Sequence, residues 1–152
     1  MKCSVVFLAG ILTVGGCDDS ASTSTSVQPR TLILEAMKAS SLYAHYERNE
    51  VKADEDCKGR WCLVTGRVRT IGKDILDTPY VSFTSADDGI FSVQCCFSEA
   101  GEIRKLGNLI PGQSISIAGL CKGKMGNVLL DNCRLVSATS EVKTAELTIR
   151  AQ

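Results

Sequence analysis

The sequence has few of the residues that catalysis and phosphate contacts require. It contains one histidine, and its 17 basic and 17 acidic side chains leave a formal net charge of +0. This balance excludes a protein that binds nucleic acid mainly through phosphate contacts. No Gly-x-Ser-x-Gly elbow, phosphate-binding glycine loop or Cys-x-x-Cys motif occurs. We therefore expect a protein that is not an enzyme and that holds no metal and no cofactor.

The first 16 residues have the features of an export signal. Lys2 supplies a positive charge, residues 4–14 are mostly apolar, and Val14-Gly15-Gly16 precedes Cys17. The apolar run is too short to span a bilayer, because about 12 residues cover about 18 Å of a roughly 30 Å core. The segment resembles the bacterial lipoprotein lipobox, which implies a signal peptide over residues 1–16 and a lipid on Cys17. Ordinary secretion, with Cys17 merely nearby, is the alternative.

The residues after Cys17 indicate a tether at a membrane surface. Residues 17–30 are rich in Ser and Thr and poor in apolar side chains, so we expect a flexible segment. Asp18 directly after Cys17 resembles the signal that retains enteric-type lipoproteins in the inner membrane. We expect a lipid-anchored protein of the bacterial cell envelope, at the periplasmic face of the inner membrane. The folded part is predicted over residues 31–140, followed by a C-terminal tail over 141–152.

Export to an oxidising compartment favours disulfides among the remaining cysteines. Cys121 and Cys133 flank a predicted hairpin with its turn at Gly126-Asn127, and they face each other if the register carries a bulge. The adjacent Cys95 and Cys96 point to opposite faces of a strand, so separate structural roles are expected for them. The sequence does not choose among the pairings of the six candidates, which are Cys57, Cys62, Cys95, Cys96, Cys121 and Cys133.

The periodicity of apolar residues changes along the folded part. Residues 31–56 carry helical spacings with Thr31 as a candidate N-cap, and a new cap near Ser40-Ser41 divides this predicted helix. A later helix is predicted over Glu99–Leu106, with Ser98 as its cap and Gly107 at its end. Five segments rich in Val, Ile, Phe and Thr are predicted strands: Trp61–Ile71, Tyr80–Thr84, Ile90–Phe97, Ser114–Cys121 and Val128–Val136.

Three strands, a helix and two strands are the order of the OB-fold. The predicted fold class is therefore all-β with accessory helices, a five-stranded OB-fold Greek-key barrel preceded by an N-terminal helix. The chain resembles the tRNA-anticodon-like family of bacterial OB-fold proteins in these segments: Tyr46–Asp54, Lys58-Gly59-Arg60, Val64–Val68, Ile71, Pro79-Tyr80-Val81, Val93-Gln94-Cys95, Pro111-Gly112-Gln113, Gly119-Leu120-Cys121 and Asp131-Asn132-Cys133. The resemblance implies a small exported or membrane-associated protein, and helix docking at Asn49-Glu50 and Ala53-Asp54. It implies no shared activity.

Strand alternation predicts the face that remains for a ligand. Val81 and Phe83 share one face of their strand, and Tyr80 and Ser82 share the other. We predict a non-catalytic module that binds an envelope protein, peptide or glycan, as a sensor, an inhibitor, or an exclusion or immunity lipoprotein. The candidate contacts are Tyr80, Ser82, Gln94, Arg67 and Lys122.

Two other functions stay open at this point. Binding of single-stranded nucleic acid needs a basic groove and stacking aromatics, and the candidate face offers one aromatic, Tyr80. Nucleic acid is not the expected partner, because an exported chain seldom meets it. A purely structural envelope lipoprotein without a ligand is the second alternative. The basic rim that nucleic acid would use is better explained as solvated loop charge: Arg67, Arg69, Lys73, Lys122 and Lys124.

The intact mass of the protein extracted from membranes tests the anchor. We expect the mass of Cys17–Gln152 plus acyl chains, because the peptidase that recognises a lipobox cleaves before the acylated cysteine. An unprocessed chain without lipid would contradict the anchor and would favour the nucleic-acid alternative.

Overall fold

The computed structural model describes residues 30–84, 92–136 and 144–149. The signal peptide, Cys17 and nearly all of the predicted tether lie outside these residues, as does the start of the predicted strand Ile90–Phe97. Within the described ranges, no helix has the length and apolar character needed to cross a membrane.

Strands dominate the described residues, and short helices connect some of them. In chain order the elements are β1 (Arg30–Lys38), α1 (Ala39–Arg48), α2 (Glu50–Cys57), β2 (Trp61–Lys73), β3 (Pro79–Phe83), β4 (Val93–Cys96), α3 (Ala100–Leu106), β5 (Ser114–Met125), β6 (Asn127–Val136) and β7 (Thr144–Ile149).

Five of these strands close into a barrel. Their order is β3-β4-β6-β5-β2, and β2 pairs again with β3 to complete the ring. β4 and β6 run parallel, whereas the other neighbours in the ring are antiparallel. With α3 between β4 and β5 along the chain, this arrangement is an OB-fold Greek-key barrel. The fold class predicted from the sequence is confirmed.

β2 closes the barrel because it pairs along both of its edges. Trp61–Arg67 pair with β5, and Val68–Lys73 pair with β3. Gly66 lies beside this change of partner, and the ring of Phe83 packs against its backbone. A Cβ atom at position 66 would lie 2.7 Å from Cδ1 of Phe83. The missing side chain therefore makes room for a large ring in the barrel interior.

The interior of the barrel is apolar and fully buried. Val81 and Phe83 point inward from β3, as the alternation predicts. α3 is held over the barrel by Glu102, whose Oε2 accepts a hydrogen bond from the Leu135 backbone N at 2.9 Å. The largest fully buried side chains are Tyr46, Phe83, Phe97, Leu42, Leu63, Ile117, Leu130, Val64, Val68, Val81, Val93 and Val128.

The two N-terminal helices dock on the barrel through buried contacts. Asn49 caps α2, since its Oδ1 accepts a hydrogen bond from the Lys52 backbone N at 3.0 Å. Tyr46 of α1 is buried, and its hydroxyl donates to Oδ1 of Asp54 at 3.1 Å. Ala53 is also buried. These contacts fit the docking role that the family resemblance implies for Asn49 and Ala53-Asp54.

The segment before α1 corrects the sequence-based prediction. Thr31 does not begin a helix, because residues up to Lys38 form β1. The break between the helices falls at Asn49 rather than at Ser40-Ser41. Ala36–Lys38 pair in parallel with Leu63–Thr65 of β2. This pairing overrides the helix propensity of the segment.

Two further predictions near the helix and strand ends need correction. The C-terminal tail over residues 141–152 contains β7, which pairs antiparallel with β1. Ser98 does not cap α3, because its hydroxyl donates instead to Oδ1 of Asn132 at 2.7 Å. The end of α3 at Gly107 is confirmed.

Gly66→Ala tests the packing of Phe83 at the strand that closes the barrel. We expect the free energy of unfolding to fall by about 1–3 kcal/mol, because the new Cβ must displace a buried ring. Gly101→Ala in α3 is the matched control. Its Cβ would meet only Oε1 of Glu99, at 3.8 Å, and alanine in a helix is favoured over glycine by about 0.5–1 kcal/mol. Urea denaturation measures both variants, and equal stabilities would contradict this account of Gly66.

Candidate functional site

A polar pocket lies on the outer face of the barrel, where β2, β3 and β4 meet the start of β6. It encloses about 250 Å³. Its lining residues carry mainly amides and hydroxyls: Arg69, Thr70, Tyr80, Ser82, Ser92, Gln94 and Asn127.

The strand register explains why three of these side chains are neighbours. Thr70 of β2 lies opposite Ser82 of β3, and Ser82 lies opposite Gln94 of β4. Side chains of directly opposed residues share one face of a sheet. Their chain neighbours Val81, Val93 and Cys95 are buried inside the barrel. Thr70, Ser82 and Gln94 therefore form a polar row across its outer surface.

Asn127 fixes the edge of the pocket. Its Oδ1 accepts a hydrogen bond from the Ser92 backbone N at 2.9 Å, and its Nδ2 donates to Oε1 of Gln94 at 2.9 Å. The preceding Gly126 has a φ of 75°, a conformation that glycine adopts readily in a tight turn. Because its carbonyl oxygen is held by Asn127, the Gln94 amide has a fixed orientation.

Tyr80 lies across β2 at the margin of the pocket. It pairs in register with Gly72, and a Cβ atom at that glycine would lie 3.3 Å from Oη of Tyr80 and 3.4 Å from Cζ. The absence of a side chain at position 72 lets the aromatic ring approach the backbone closely. This contact holds the ring along the sheet.

The lining favours a polar ligand of low charge. Arg69 is the one charged residue among the lining residues. Amides and hydroxyls both donate and accept hydrogen bonds, which suits sugar hydroxyls and peptide amides. In the part of the chain that the structure describes, no group of three or more His, Cys, Asp or Glu side chains is placed to hold a metal ion.

The structure brings together three of the five predicted contacts. Tyr80, Ser82 and Gln94 line the pocket, whereas Arg67 and Lys122 do not. Arg67 is exposed on β2 opposite Ser114. Lys122 is exposed on β5, with Nζ 3.9 Å from Oδ2 of Asp131.

Three lysines of the predicted basic rim have carboxylate partners. Lys122 is paired as described above. Nζ of Lys73 lies 2.9 Å from Oδ1 of Asp77, and Nζ of Lys124 lies 2.6 Å from Oε1 of Glu47. The hydrogen bond from Lys124 lowers the pKa of Glu47 below its ordinary value. Paired charges of this kind present less positive potential to a phosphate backbone than unpaired ones do.

Sequence reasoning missed four of the lining residues as ligand contacts. Arg69 is predicted as part of the solvated rim and Asn127 as part of the hairpin turn, and neither Thr70 nor Ser92 is among the predicted contacts. Strict alternation from the buried Val68 would turn Thr70 inward, and the register shift between Val68 and Thr70 turns it outward instead. Asn127 reaches the pocket because β6 pairs in parallel with β4, which no local pattern indicates.

The barrel defines an OB-fold protein, and comparison with known families identifies the OB-fold family to which it belongs. The model of the tRNA_anti-like family matches residues 1–134, so the chain belongs to that family. A similar solved structure is the "putative nucleic acid-binding lipoprotein" from Klebsiella pneumoniae, with 19% sequence identity and a TM-score of 0.54. The match covers 67% of this chain and 92% of that one, and it supports the fold. No curated protein matches the chain.

Asn127→Ala tests how the pocket is held in place. The substitution leaves the Ser92 N–H and the Gln94 carbonyl oxygen without their partner, and we expect a loss of about 1–3 kcal/mol in the free energy of unfolding. Asn108→Ala is the control, because Asn108 is exposed just after α3 and lies outside the pocket. Urea denaturation and the amide NMR signal of Ser92 report the effect. An unchanged Ser92 signal would contradict the anchoring role of Asn127.

Proposed function

We propose that this protein is an exported, lipid-anchored binding module of the bacterial cell envelope that holds its partner in the outer pocket. The observation that carries this proposal is the row of Thr70, Ser82 and Gln94, completed by Asn127. The row places hydrogen-bonding groups side by side on a closed barrel, and Asn127 fixes the orientation of the Gln94 amide, which suits selective binding. The proposed module is non-catalytic.

The chemistry of the pocket favours an envelope protein, peptide or glycan as the partner. Amide and hydroxyl groups match the neutral polar groups of a sugar or a peptide backbone. Tyr80 adds an aromatic surface beside them, which suits the apolar face of a sugar ring or side chain. Arg69 adds one positive charge, which is compatible with a carboxylate on the partner.

The proposed location rests on the N-terminal residues and on one solved relative. Cys17 follows a lipobox-like segment, and Asp18 follows Cys17. The similar Klebsiella protein is described as a lipoprotein. We propose a lipid on Cys17, with the barrel at the periplasmic face of the inner membrane.

A lipid anchor with a flexible tether would raise the concentration of the barrel near the membrane. Residues 18–29 would allow the barrel to reach partners within a limited distance of its anchor. Such an arrangement suits a protein that senses, inhibits or excludes an envelope component, including an immunity lipoprotein. A structural role without any ligand is the less favoured alternative, because such a role does not explain a polar pocket on the barrel surface.

Single-stranded nucleic acid is the second candidate ligand. Arg69 in the pocket favours it, as does the description of the Klebsiella protein as nucleic acid-binding. The carboxylate partners of Lys73, Lys122 and Lys124 argue against it, because a nucleic-acid groove needs positive charge along its length.

Photo-crosslinking in living cells tests the proposed surface. A photoreactive amino acid at Ser82 is expected to give one dominant adduct in the envelope, because this residue lies inside the pocket. Gln94→Ala in the same chain is expected to reduce that adduct at least about tenfold, since it removes a hydrogen-bonding group from the pocket. Mass spectrometry of the adduct identifies the partner as a protein, peptide or glycan.

The matched control carries the same photoreactive group at Glu55, which is exposed on α2 and lies outside the pocket. Equal adducts from positions 55 and 82, or an adduct that persists with Gln94→Ala, would contradict the proposed site. Titration with a single-stranded oligonucleotide separates the second candidate. A dissociation constant below about 10⁻⁴ M at physiological salt, weakening steeply as salt rises, would favour nucleic acid over the envelope partner.

A further inference from the structure

The six cysteines of the described residues fall into three groups of unequal size. Cys57, Cys62 and Cys121 meet where α2, β2 and β5 come together, and we name them the thiol trio. Cys95 of β4 and Cys133 of β6 form a pair inside the barrel. All five are buried. Cys96 stands apart on the outer face of β4, opposite Tyr80.

Cys62 occupies the centre of the thiol trio. Its thiol lies beside those of Cys57 and Cys121 in one buried cluster, and it donates to the carbonyl oxygen of Arg60 at 3.9 Å. The hydroxyl of Tyr46 lies 3.3 Å from Sγ of Cys121 on the far side. The backbone N of Gly59 donates to the carbonyl oxygen of Cys121 at 2.8 Å, which holds the α2–β2 connection against β5.

The Cys95–Cys133 contact depends on a bulge in β6. Leu120 pairs with Asp131 and Ala118 pairs with Arg134, so two residues of β6 oppose Gly119. Asn132, one of the two, has a φ of 52°.

The bulge directs Cys133 into the barrel toward Cys95. A Cβ atom at Gly119 would lie 2.6 Å from Sγ of Cys133, so the glycine provides the space for the sulfur. Cys121, in contrast, pairs in register with Leu130 and contacts Cys62. The geometry therefore favours Cys95 over Cys121 as the partner of Cys133.

We propose that the oxidised protein carries two disulfides, Cys95–Cys133 and one within the thiol trio, and that the second exchanges between Cys57–Cys62 and Cys62–Cys121. Cys96 and the third thiol of the trio stay reduced. Because the trio contains three thiols, a disulfide within it always leaves the third thiol beside the bond. In the cell this inference rests on the proposed export, because a reducing cytoplasm would keep the thiols reduced.

Formation of the disulfides needs an external oxidant, whereas the exchange within the trio does not. An external disulfide, such as oxidised glutathione or an envelope oxidoreductase, accepts two electrons and is reduced to two thiols as each protein disulfide forms. In the internal exchange, the Cys121 thiolate attacks Sγ of Cys62. The Cys62–Cys121 bond forms, the Cys57–Cys62 bond breaks, and Cys57 leaves as a thiolate that takes up a proton. No net oxidation accompanies this exchange.

The reduced trio favours the thiolate form of Cys121. Before any disulfide forms, the hydrogen bond from the Cys62 thiol lowers the pKa of Cys121 to about 6, despite burial and the nearby Asp54 carboxylate. The thiolate is the nucleophile in disulfide exchange. Burial raises the pKa of Cys96, which keeps that thiol protonated and less reactive.

The exchange would change how α2 is attached to the barrel. The Cys57–Cys62 disulfide joins the last residue of α2 to β2, whereas the Cys62–Cys121 disulfide joins two barrel strands and leaves α2 without a covalent link. α2 supplies Asp54, which accepts the hydrogen bond of Tyr46 and pairs with Lys58 at 2.8 Å. A relaxed α2 would loosen this end of the barrel.

Differential alkylation of the full chain tests the pairing. The protein is extracted in detergent and equilibrated in a glutathione redox buffer. Free thiols are then blocked with one reagent, and cysteines released by reduction are labelled with a second. We expect linked peptides for Cys95–Cys133, for Cys57–Cys62 and for Cys62–Cys121, with Cys96 labelled before reduction. A Cys121–Cys133 link, a third disulfide that includes Cys96, or six thiols resistant to oxidation would overturn the proposal.

Serine variants separate the two isomers. Cys57→Ser is expected to retain the Cys62–Cys121 disulfide, and Cys121→Ser to retain Cys57–Cys62. Cys62→Ser is expected to lose every disulfide of the trio, so a Cys57–Cys121 link in this variant would overturn the central role of Cys62. Cys96→Ser is the control, and it should leave the Cys95–Cys133 link unchanged.

Tyr46→Phe tests the exchange itself. It removes the hydroxyl oxygen that lies 3.3 Å from Sγ of Cys121 and to which only a free Cys121 thiol can donate, so the equilibrium should shift toward Cys62–Cys121 by roughly three- to tenfold. A purely structural tyrosine would leave this ratio unchanged, and that result would overturn the exchange. Because oxidation is performed on the purified chain, an unprocessed cytoplasmic protein would disprove the proposed export without altering the pairing.

Discussion

The structure depends on a single strand that pairs along both edges. β2 pairs with β5 through its first half and with β3 through its second half, and only this change of partner closes the sheet into a barrel. Gly66 has no side chain beside this change of partner, which leaves space for Phe83 to pack against the backbone. A closed barrel leaves no free strand edge in the ring itself. The remaining edge of β2 is available to β1, which adds the N-terminal segment to the sheet.

The proposed pocket is a consequence of this closure. Val81 and Phe83 of β3 point into the barrel interior, as do Val93 and Cys95 of β4. Because successive side chains of a strand point to opposite faces, the residues between them face outward. Ser82 and Gln94 then adjoin each other through strand register alone. The Gln94 amide takes its orientation from its hydrogen bond with Asn127. Binding groups supported in this way lose little entropy when a ligand arrives.

The cysteines show how the same residue type serves different surroundings. In the barrel interior Cys95 and Cys133 pack as small apolar side chains, and Gly119 provides the space that the sulfur of Cys133 needs. Cys62 lies where a helix and two strands meet, so a bond from it to either neighbour changes which elements are joined. Sulfur chemistry and packing are therefore coupled at the docking site of α1 and α2.

The sequence by itself determined the order of the barrel elements, the inward and outward faces of β3, and the polar character of Tyr80, Ser82 and Gln94. These features follow from local periodicity and turn residues, which adjacent side chains encode. Tertiary structure decided the rest: β1 in place of the first part of a helix, Asn127 in the pocket, and the division of the cysteines. Each of these depends on pairing between distant segments, such as β4 with β6 and β1 with β2. Long-range pairing is selected by burial and hydrogen bonding across the whole fold, which no single stretch of sequence contains.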